Sequence, residues 1–306
     1  MKLLTISLIV SFSVFACVSF AQPKPADVLN IKRKWLDIPY ANLSQAEKLD
    51  IYLPEEGDGP FPVIISVHGG AFMFGDKADG QLNPMLKGLN HGYAVVSINY
   101  RMSGEALFPA NIKDVKAAIR WVKANAAAYK LSPTHIALWG GSAGGNLAAL
   151  AGTSGGVKEL ENMTMGNASQ SSRVMAVVDW FGPTNFLLMD EQLKETGNGK
   201  PDHSEANSPE SKVLGQKITE IPAKVKKANP ETYISKDDPA FFIEHGTKDQ
   251  LVPTQQSVMF YNKLKKVLGK EKVNLHLFEG AKHGGMEFET PENLERVFNF
   301  LDQILK

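Results

Sequence analysis

Short apolar runs alternate along the chain with stretches of helical periodicity. Residues 62–68 contain the run VIISVH between Pro and Gly, and such a nearly continuous apolar run is typical of a strand covered on both faces. The same pattern recurs at 93–98, 135–139, 174–178 and 240–244, a further strand is predicted at 273–278, and an early hairpin at 37–40 and 48–53. These runs predict the strands of a central sheet.

Between these runs, apolar residues recur at spacings of three and four. The segment 111–129 places its apolar side chains on one helical stripe, and 254–268 and 291–305 show the same pattern. Strands that alternate with helices predict an α/β fold, in which a mostly parallel central sheet carries helices on both faces.

One segment interrupts this alternation. Residues 185–238 are polar and charged, are broken by glycines and prolines, and have room for two short helices near 187–194 and 221–227. A connection this long is uncommon in a compact domain unless it has a function. We predict a cap-like insertion over a site, with a mobile surface loop as the alternative.

Composition and charge narrow the class of protein. The 306 residues are 43% hydrophobic and 22% charged, which are ordinary values for a globular chain. The 33 basic residues balance 33 acidic ones, so the chain has no electrostatic footprint for nucleic acid. We expect one large domain over 22–306 and no nucleic-acid partner.

Residues 1–21 have the pattern of a secretory signal peptide. A basic start precedes a mostly apolar run, and Ser19-Phe20-Ala21 places small residues at the two positions that signal peptidase reads. We therefore expect cleavage after Ala21 and a secreted or periplasmic protein. Two alternatives stay open, namely an uncleaved membrane anchor and a lipoprotein, since the VFAC sequence at 14–17 would leave a lipid anchor on Cys17.

Cys17 is the only cysteine in the sequence. Cleavage after residue 21 would leave a chain without a disulfide, a thiolate metal site or a cysteine nucleophile. No pair of His or acidic residues has the spacing of metal ligands. We therefore expect neither a metal nor another cofactor.

The strand at 135–139 leads into the sequence Gly-x-Ser-x-Gly around Ser142, and an Ala-rich helical segment follows. A serine in a tight strand-to-helix turn is strained and needs small neighbours, which Gly140 and Gly144 supply. The turn would expose the Ser142 hydroxyl at the carboxyl edge of the sheet. A packing turn rich in glycine is the alternative.

The sequence His68-Gly69-Gly70-Ala71 directly follows another strand of the predicted sheet. Backbone N–H groups of Gly70 and Ala71, with that of Ala143, would hold the oxyanion of an acyl-transfer intermediate. Gly69 is an alternative to one of them, and an ordinary strand-end turn is the simpler explanation.

Loops after two later strands carry an acid and a histidine. Asp249 follows one of these strands, and His283 follows the next. Of the seven histidines, His283 lies both downstream of the acid and in a loop at the carboxyl edge, whereas His245 lies upstream of the acid. We predict Ser142, Asp249 and His283 as nucleophile, orienting acid and general base.

Several segments together resemble one group of enzymes. They are HGGA at 68–71, Tyr100-Arg101, Phe108-Pro109-Ala110, GGSAGG at 140–145, WFGPT at 180–184, SPES at 208–211 and HGTKDQLVP at 245–253. These segments are similar to those of the α/β-hydrolase esterases related to hormone-sensitive lipase, and most similar to the bifunctional feruloyl and acetylxylan esterases. The resemblance runs from about residue 36 to 305 and implies an α/β-hydrolase fold.

One position departs from the resemblance. Many lipase relatives have a third glycine where this chain has Ala71. The N–H group of an alanine can still donate, so the oxyanion site is expected to survive. The backbone of Ala71 is expected to avoid the angles that only glycine favours.

The predicted export and the resemblance imply a secreted serine esterase that acts on carbohydrate esters, such as acetyl or feruloyl groups on xylan. A general short-chain carboxylesterase, a formamidase-type amide hydrolase and a binding module on an inactive hydrolase fold are the alternatives. The substrate is expected to be a small or polysaccharide ester. Its pocket is expected to be lined by Phe72, Trp180 and Phe181. Arg101 and Asp114 are expected to form a structural ion pair.

Overall fold

The computed structural model describes residues 24–306, so the predicted leader at 1–21 and Cys17 lie outside the described residues. Within this part of the chain one sheet has eight strands, which are β1 (Lys34–Pro39), β2 (Lys48–Tyr52), β3 (Phe61–Val67), β4 (Ala94–Ile98), β5 (Leu131–Gly141), β6 (Ala176–Trp180), β7 (Ala240–Gly246) and β8 (Val273–Phe278). Their spatial order is β1-β2-β4-β3-β5-β6-β7-β8. Strand β2 pairs antiparallel with β1 and β4, and the other pairs are parallel. The predicted mostly parallel sheet is confirmed.

Helices cover both faces of this sheet. The α-helices are α1 (Asn83–Leu86), α2 (Ala110–Asn125), α3 (Ala143–Thr153), α4 (Met189–Thr196), α5 (Pro209–Leu214), α6 (Pro222–Ala228), α7 (Gln255–Leu268), α8 (Met286–Glu289) and α9 (Pro291–Leu305). Helices α2, α3 and α7 pack on one face, which we call the α3 face, and α1, α8 and α9 pack on the other, the α9 face.

The alternation of side chains along the strands divides the core between these two faces. In β3, Val63 and Ile65 join the core of the α3 face, whereas Ile64 between them joins that of the α9 face. The predicted stripe of α2, which includes Ile112 and Val115, is buried in the core of the α3 face. Burial on both faces explains why these strands read as apolar runs rather than as alternating patterns.

The segment 185–238 folds into α4, α5, α6 and short 3₁₀ turns, so the two predicted helices are present and a third lies between them. Its apolar side chains, Phe186 and Val213 among them, are buried in the core of the α3 face. Polar groups tie it to the loop after β7, since Asn198 Nδ2 donates to the carbonyl of Thr247 at 3.2 Å. The segment therefore docks beside the sheet.

The predicted ion pair between Arg101 and Asp114 is confirmed. Arg101 Nη2 lies 2.6 Å from Asp114 Oδ1, and Arg101 Nε donates to Oδ2 at 2.9 Å. Asp114 is buried on α2, so the pair attaches the loop after β4 to this helix and has a structural role.

Candidate active site

Ser142 occupies the sharp turn between β5 and α3. Its backbone has φ 57° and ψ −121°, a sparsely populated conformation for a residue with a side chain. The turn closes because its neighbours are glycines. An added Cβ at Gly140 would lie 2.4 Å from the backbone of Gly144, and one at Gly144 would lie 2.0 Å from the carbonyl oxygen of Val67. Glycine at these two positions lets the strand and the helix approach closely, which places the serine at the carboxyl edge of the sheet.

The three residues predicted to act together lie in one hydrogen-bonded row. His283 Nε2 is 2.9 Å from Ser142 Oγ, and His283 Nδ1 is 2.7 Å from Asp249 Oδ2. They come from the turn after β5, the loop after β7 and the loop after β8. The parallel strands bring these loops to the same edge, although 141 residues separate the serine from the histidine in sequence.

Asp249 is buried and surrounded by donors. Its Oδ1 accepts from the backbone N–H groups of Leu251 and Val252, at 2.8 and 2.9 Å. Its Oδ2 faces both His283 and His245. Burial by itself would raise the pKa of this carboxyl, but the hydrogen bonds with His245 and His283 outweigh it, and the pKa lies well below its usual value. Asp249 is therefore ionised at neutral pH.

The N–H groups of Gly70, Ala71 and Ala143 donate to no acceptor within residues 24–306, so they are available to a ligand. The prediction of Gly69 as an alternative donor is wrong, because its N–H donates to Gln81 Oε1 at 2.9 Å. Gly70 has φ 115°, and an added Cβ there would lie 1.9 Å from the carbonyl oxygen of Phe74. Only glycine fits this position.

The expectation for the backbone of Ala71 is also wrong. Its φ is 54°, in the left-handed region that an alanine enters at a cost of about 1–2 kcal/mol. Phe72 follows with φ 59°. The turn after β3 therefore tolerates side chains at two strained positions, and Ala71 lines the same cavity as Ser142.

A cavity of about 420 Å³ opens beside Ser142 and His283. Trp180 and Phe181 line it, as predicted, together with Val67, Phe74, Gln81, Pro84, Met85, Leu251, Phe288 and Glu289. Phe181 also packs its ring edge against the imidazole of His283, with ring centroids 4.7 Å apart. The cavity is mostly apolar and has polar groups at a few points, which is typical of a small-molecule site.

One prediction about the surroundings of this cavity is wrong, and another stays a prediction. Phe72 does not line it, because its side chain is buried on the α3 face and packs against Phe186. The segment 185–238 contributes none of the lining found among the described residues, and its role as a cap-like insertion stays a prediction. It supports the acid loop, since His203 Nε2 donates to the carbonyl of Leu251 at 2.8 Å.

Comparison with known proteins assigns the chain to a family. The family model described as BD-FAE matches residues 49–264, which include Ser142 and Asp249. The chain belongs to the BD-FAE family. The eight-stranded sheet and the structural likenesses below make its fold that of an α/β-hydrolase, as predicted.

Three relatives illustrate what this BD-FAE family member is similar to. A truncated carbohydrate esterase from gut microbiota has a TM-score of 0.81 and 34% identity, covering 92% of this chain and 99% of that one. A bifunctional GH43-CE protein of Bacteroides eggerthii has a TM-score of 0.79 and 38% identity, covering 89% and 35%. LipM of Mycobacterium tuberculosis, a probable carboxylic ester hydrolase, is 34% identical over 80% of this chain and 56% of its own length. The chain thus spans about half the length of the curated relatives it matches.

Several lining residues of this BD-FAE family member carry no signal in the sequence. Gln81 and Met85 lie in neighbouring short helical turns before β4, Phe288 lies in a short helix after β8, and only folding brings them to the same cavity. His245 had a recognisable place at a strand end, but its position before the acid concealed its contact with Asp249. Within residues 24–306, no cluster of three or more His, Cys, Asp or Glu side chains could hold a metal ion, and the expected absence of a cofactor stays a prediction.

Proposed function

We propose that this chain is a serine carboxylic-ester hydrolase that acts on carbohydrate esters, acetyl or feruloyl groups on xylan, through an acyl-enzyme. The observation that carries the proposal is the hydrogen-bonded row of Ser142, His283 and Asp249 beside the cavity. Two structural neighbours, one described as a carbohydrate esterase and the other as a bifunctional GH43-CE protein, favour a carbohydrate ester.

The reaction follows from the positions of these groups. As Ser142 Oγ attacks the ester carbonyl carbon, His283 Nε2 takes the serine proton and Asp249 stabilises the charged imidazole. The tetrahedral intermediate places its oxyanion toward the N–H groups of Gly70, Ala71 and Ala143, which are each worth about 10²–10³-fold in rate. His283 protonates the leaving alcohol, and the acyl group remains on Ser142.

The second half of the reaction reverses these roles. A water molecule replaces the alcohol, and His283 removes its proton as it attacks the acyl-enzyme carbonyl. The second tetrahedral intermediate collapses, Ser142 regains its proton from His283, and the carboxylic acid leaves. The ionised state of Asp249 supports both half-reactions, since each of them passes through a charged imidazole.

The size and lining of the cavity bear on the acyl group. An acetyl group would leave most of the 420 Å³ empty, whereas an aromatic acyl group would contact the rings of Trp180, Phe181 and Phe288. Glu289, an exposed residue of the lining, supplies a carboxylate that suits the hydroxyls of a sugar. Both features support a feruloyl ester of a carbohydrate as the preferred substrate within the proposed class.

The test is a hydrolysis panel with acetylated xylan, methyl ferulate, nitrophenyl acetate and a formyl amide. We expect release from the xylan and ferulate esters by the wild type, and no turnover by Ser142→Ala. Ser169→Ala replaces an exposed serine and serves as the matched control. A fluorophosphonate probe should label the wild type and the control, and leave Ser142→Ala unlabelled.

Each alternative has its own result in this panel. Hydrolysis of nitrophenyl acetate without either carbohydrate-related ester would identify a general short-chain carboxylesterase. Turnover of the formyl amide alone would identify an amide hydrolase. A folded wild-type protein that neither turns over an ester nor reacts with the probe would favour a binding module and contradict the proposed function.

We also propose that the protein is exported, with cleavage after Ala21. The support is the pattern of residues 1–21. No helix among residues 24–306 is long and apolar enough to cross a membrane. Mass spectrometry of the protein from its own host should give an N-terminus at Gln22, whereas an acylated Cys17 would establish the lipoprotein and an intact Met1 would contradict cleavage.

A further inference from the structure

His245 is the second-last residue of strand β7 and is completely buried behind the acid of the candidate active site. Its Nε2 lies 3.1 Å from Asp249 Oδ2 and 2.8 Å from the carbonyl oxygen of Val252. On the opposite side of the ring, its Nδ1 lies 2.7 Å from Ser257 Oγ on α7. Asp249 Oδ2 is therefore shared between two imidazoles, those of His283 and His245.

The partners of His245 determine which nitrogen carries its proton. A carboxylate and a carbonyl can only accept, so Nε2 must be the donor to both. The hydroxyl of Ser257 can donate, so it completes the bonding of a neutral ring by donating to Nδ1. Such a ring leaves neither of its nitrogens unbonded, and it presents a fixed N–H to the carboxylate of Asp249.

Other titratable groups face this arrangement. Asp249 and His283 approach from the loops after β7 and β8, and Asp179 approaches from β6. Burial raises the pKa of Asp179 to about 6, while the N–H of Gly182 and the proximity of His245 act in the opposite direction. A change of charge on Asp179 therefore also acts on His245, and the experiment below has to separate the two.

We propose that His245 is a positioning residue for the esterase reaction, whose N–H holds the Asp249 carboxylate in the orientation that His283 needs and shares its negative charge. The inference rests on the proposed function. Without this N–H, Oδ2 would keep His283 as its one imidazole donor, and the carboxylate would lose one of the donors that stabilise its charge. A more basic carboxylate holds the protonated form of His283 more strongly, so the free base would be available only at higher pH.

Two polar variants separate this role from simple packing. Glutamine at position 245 can extend an amide N–H to the place of Nε2, whereas asparagine is shorter and reaches only the place of Nδ1. His245→Gln should therefore keep the bond to Asp249, and His245→Asn should keep the bond to Ser257 and lose the other. Ser257→Ala is the matched control, because it removes the bond on the far side of the ring, and Asp179→Asn controls for the second acid.

The measurement is the pH profile of kcat and KM for an ester that the wild type hydrolyses, with thermal unfolding of each variant. For His245→Asn we expect the acid limb of kcat/KM to move up by about one pH unit, and kcat to fall roughly ten- to a hundredfold with a smaller change in KM. His245→Gln, Ser257→Ala and Asp179→Asn should keep the limb within a few tenths of a unit of wild type.

The outcomes that overturn the inference are distinct from those that overturn the proposed function. If His245→Asn lost stability and activity while its acid limb stayed in place, His245 would have only a packing role. An equal upward movement of the limb in Ser257→Ala or in Asp179→Asn would also overturn the inference. A wild-type protein without esterase activity would overturn the proposed function itself, and the inference with it.

Discussion

Glu244 lies beside His245 on β7 but points to the opposite face of the sheet, where it is completely buried. Its Oε2 accepts from Asn293 Nδ2 at 2.9 Å, and its Oε1 has no hydrogen-bond partner among the described residues. Burial raises the pKa of this carboxyl to about 8, although the bond from Asn293, the charge of Arg296 and the indole of Trp180 lower it. Near neutral pH the folded protein therefore holds a proton that the unfolded chain releases.

This difference makes the stability of the fold depend on pH. In the unfolded chain the carboxyl has its ordinary pKa of 4.5, so above that value the native state binds more protons. The free energy of unfolding then falls by roughly 1.4 kcal/mol for each pH unit until the pH reaches the folded pKa near 8. Between about pH 5.5 and 7.5 the loss from this one group amounts to about 3 kcal/mol.

The variant Glu244→Gln has no such dependence, because an amide stays neutral and its oxygen can still accept from Asn293. Its free energy of unfolding should lie close to that of the wild type near pH 5 and should exceed it by about 3 kcal/mol near pH 7.5. Urea denaturation of both proteins at five pH values measures the difference, from which the other titrating groups cancel. Glu279→Gln, at an exposed position, is the matched control and should give a flat difference.

A difference between Glu244→Gln and the wild type that stays constant across this range would refute the reasoning, since it would mean that Glu244 releases its proton as readily in the folded state as in the unfolded one. A difference that shrinks as the pH rises would mean that the pH dependence has the opposite sign. The ionised carboxylate of Glu244 would then stabilise the folded state.

Two further predictions concern the candidate active site. Asp249→Asn should lower kcat by about 10⁴, because an amide would favour the wrong tautomer of His283, and kcat near the wild-type value would remove Asp249 from the mechanism. Gly70→Ala should lower kcat/KM by at least about 10²-fold, since its Cβ would lie 1.9 Å from the carbonyl oxygen of Phe74 and would move a proposed oxyanion donor. Gly104→Ala, where an added Cβ meets nothing within 4 Å, should keep the wild-type value, and equal losses in the two variants would argue against the oxyanion role of Gly70.

The sequence by itself determined the architecture and the row at the sheet edge. Buried parallel strands read as apolar runs and helices as stripes, because these periodicities arise within each element and need no distant partner. Ser142 could be recognised because its tight turn requires glycines close by in sequence. Asp249 and His283 followed from the rule that loops after parallel strands meet at one edge.

Tertiary structure decided which groups surround that row. The side chain of Gln81 accepts the hydrogen bond from the N–H of Gly69. The side chain of Phe72 lies in the core, and residues 185–238 pack on the α3 face. His245 meets Asp249 because the chain after β7 curls back within four residues. Each of these outcomes depends on the path of a loop, and a loop is placed by contacts with distant segments rather than by a period of its own. Local pattern therefore predicted the sheet and its reactive edge, whereas packing between distant segments decided the lining of the cavity and the second donor to the acid.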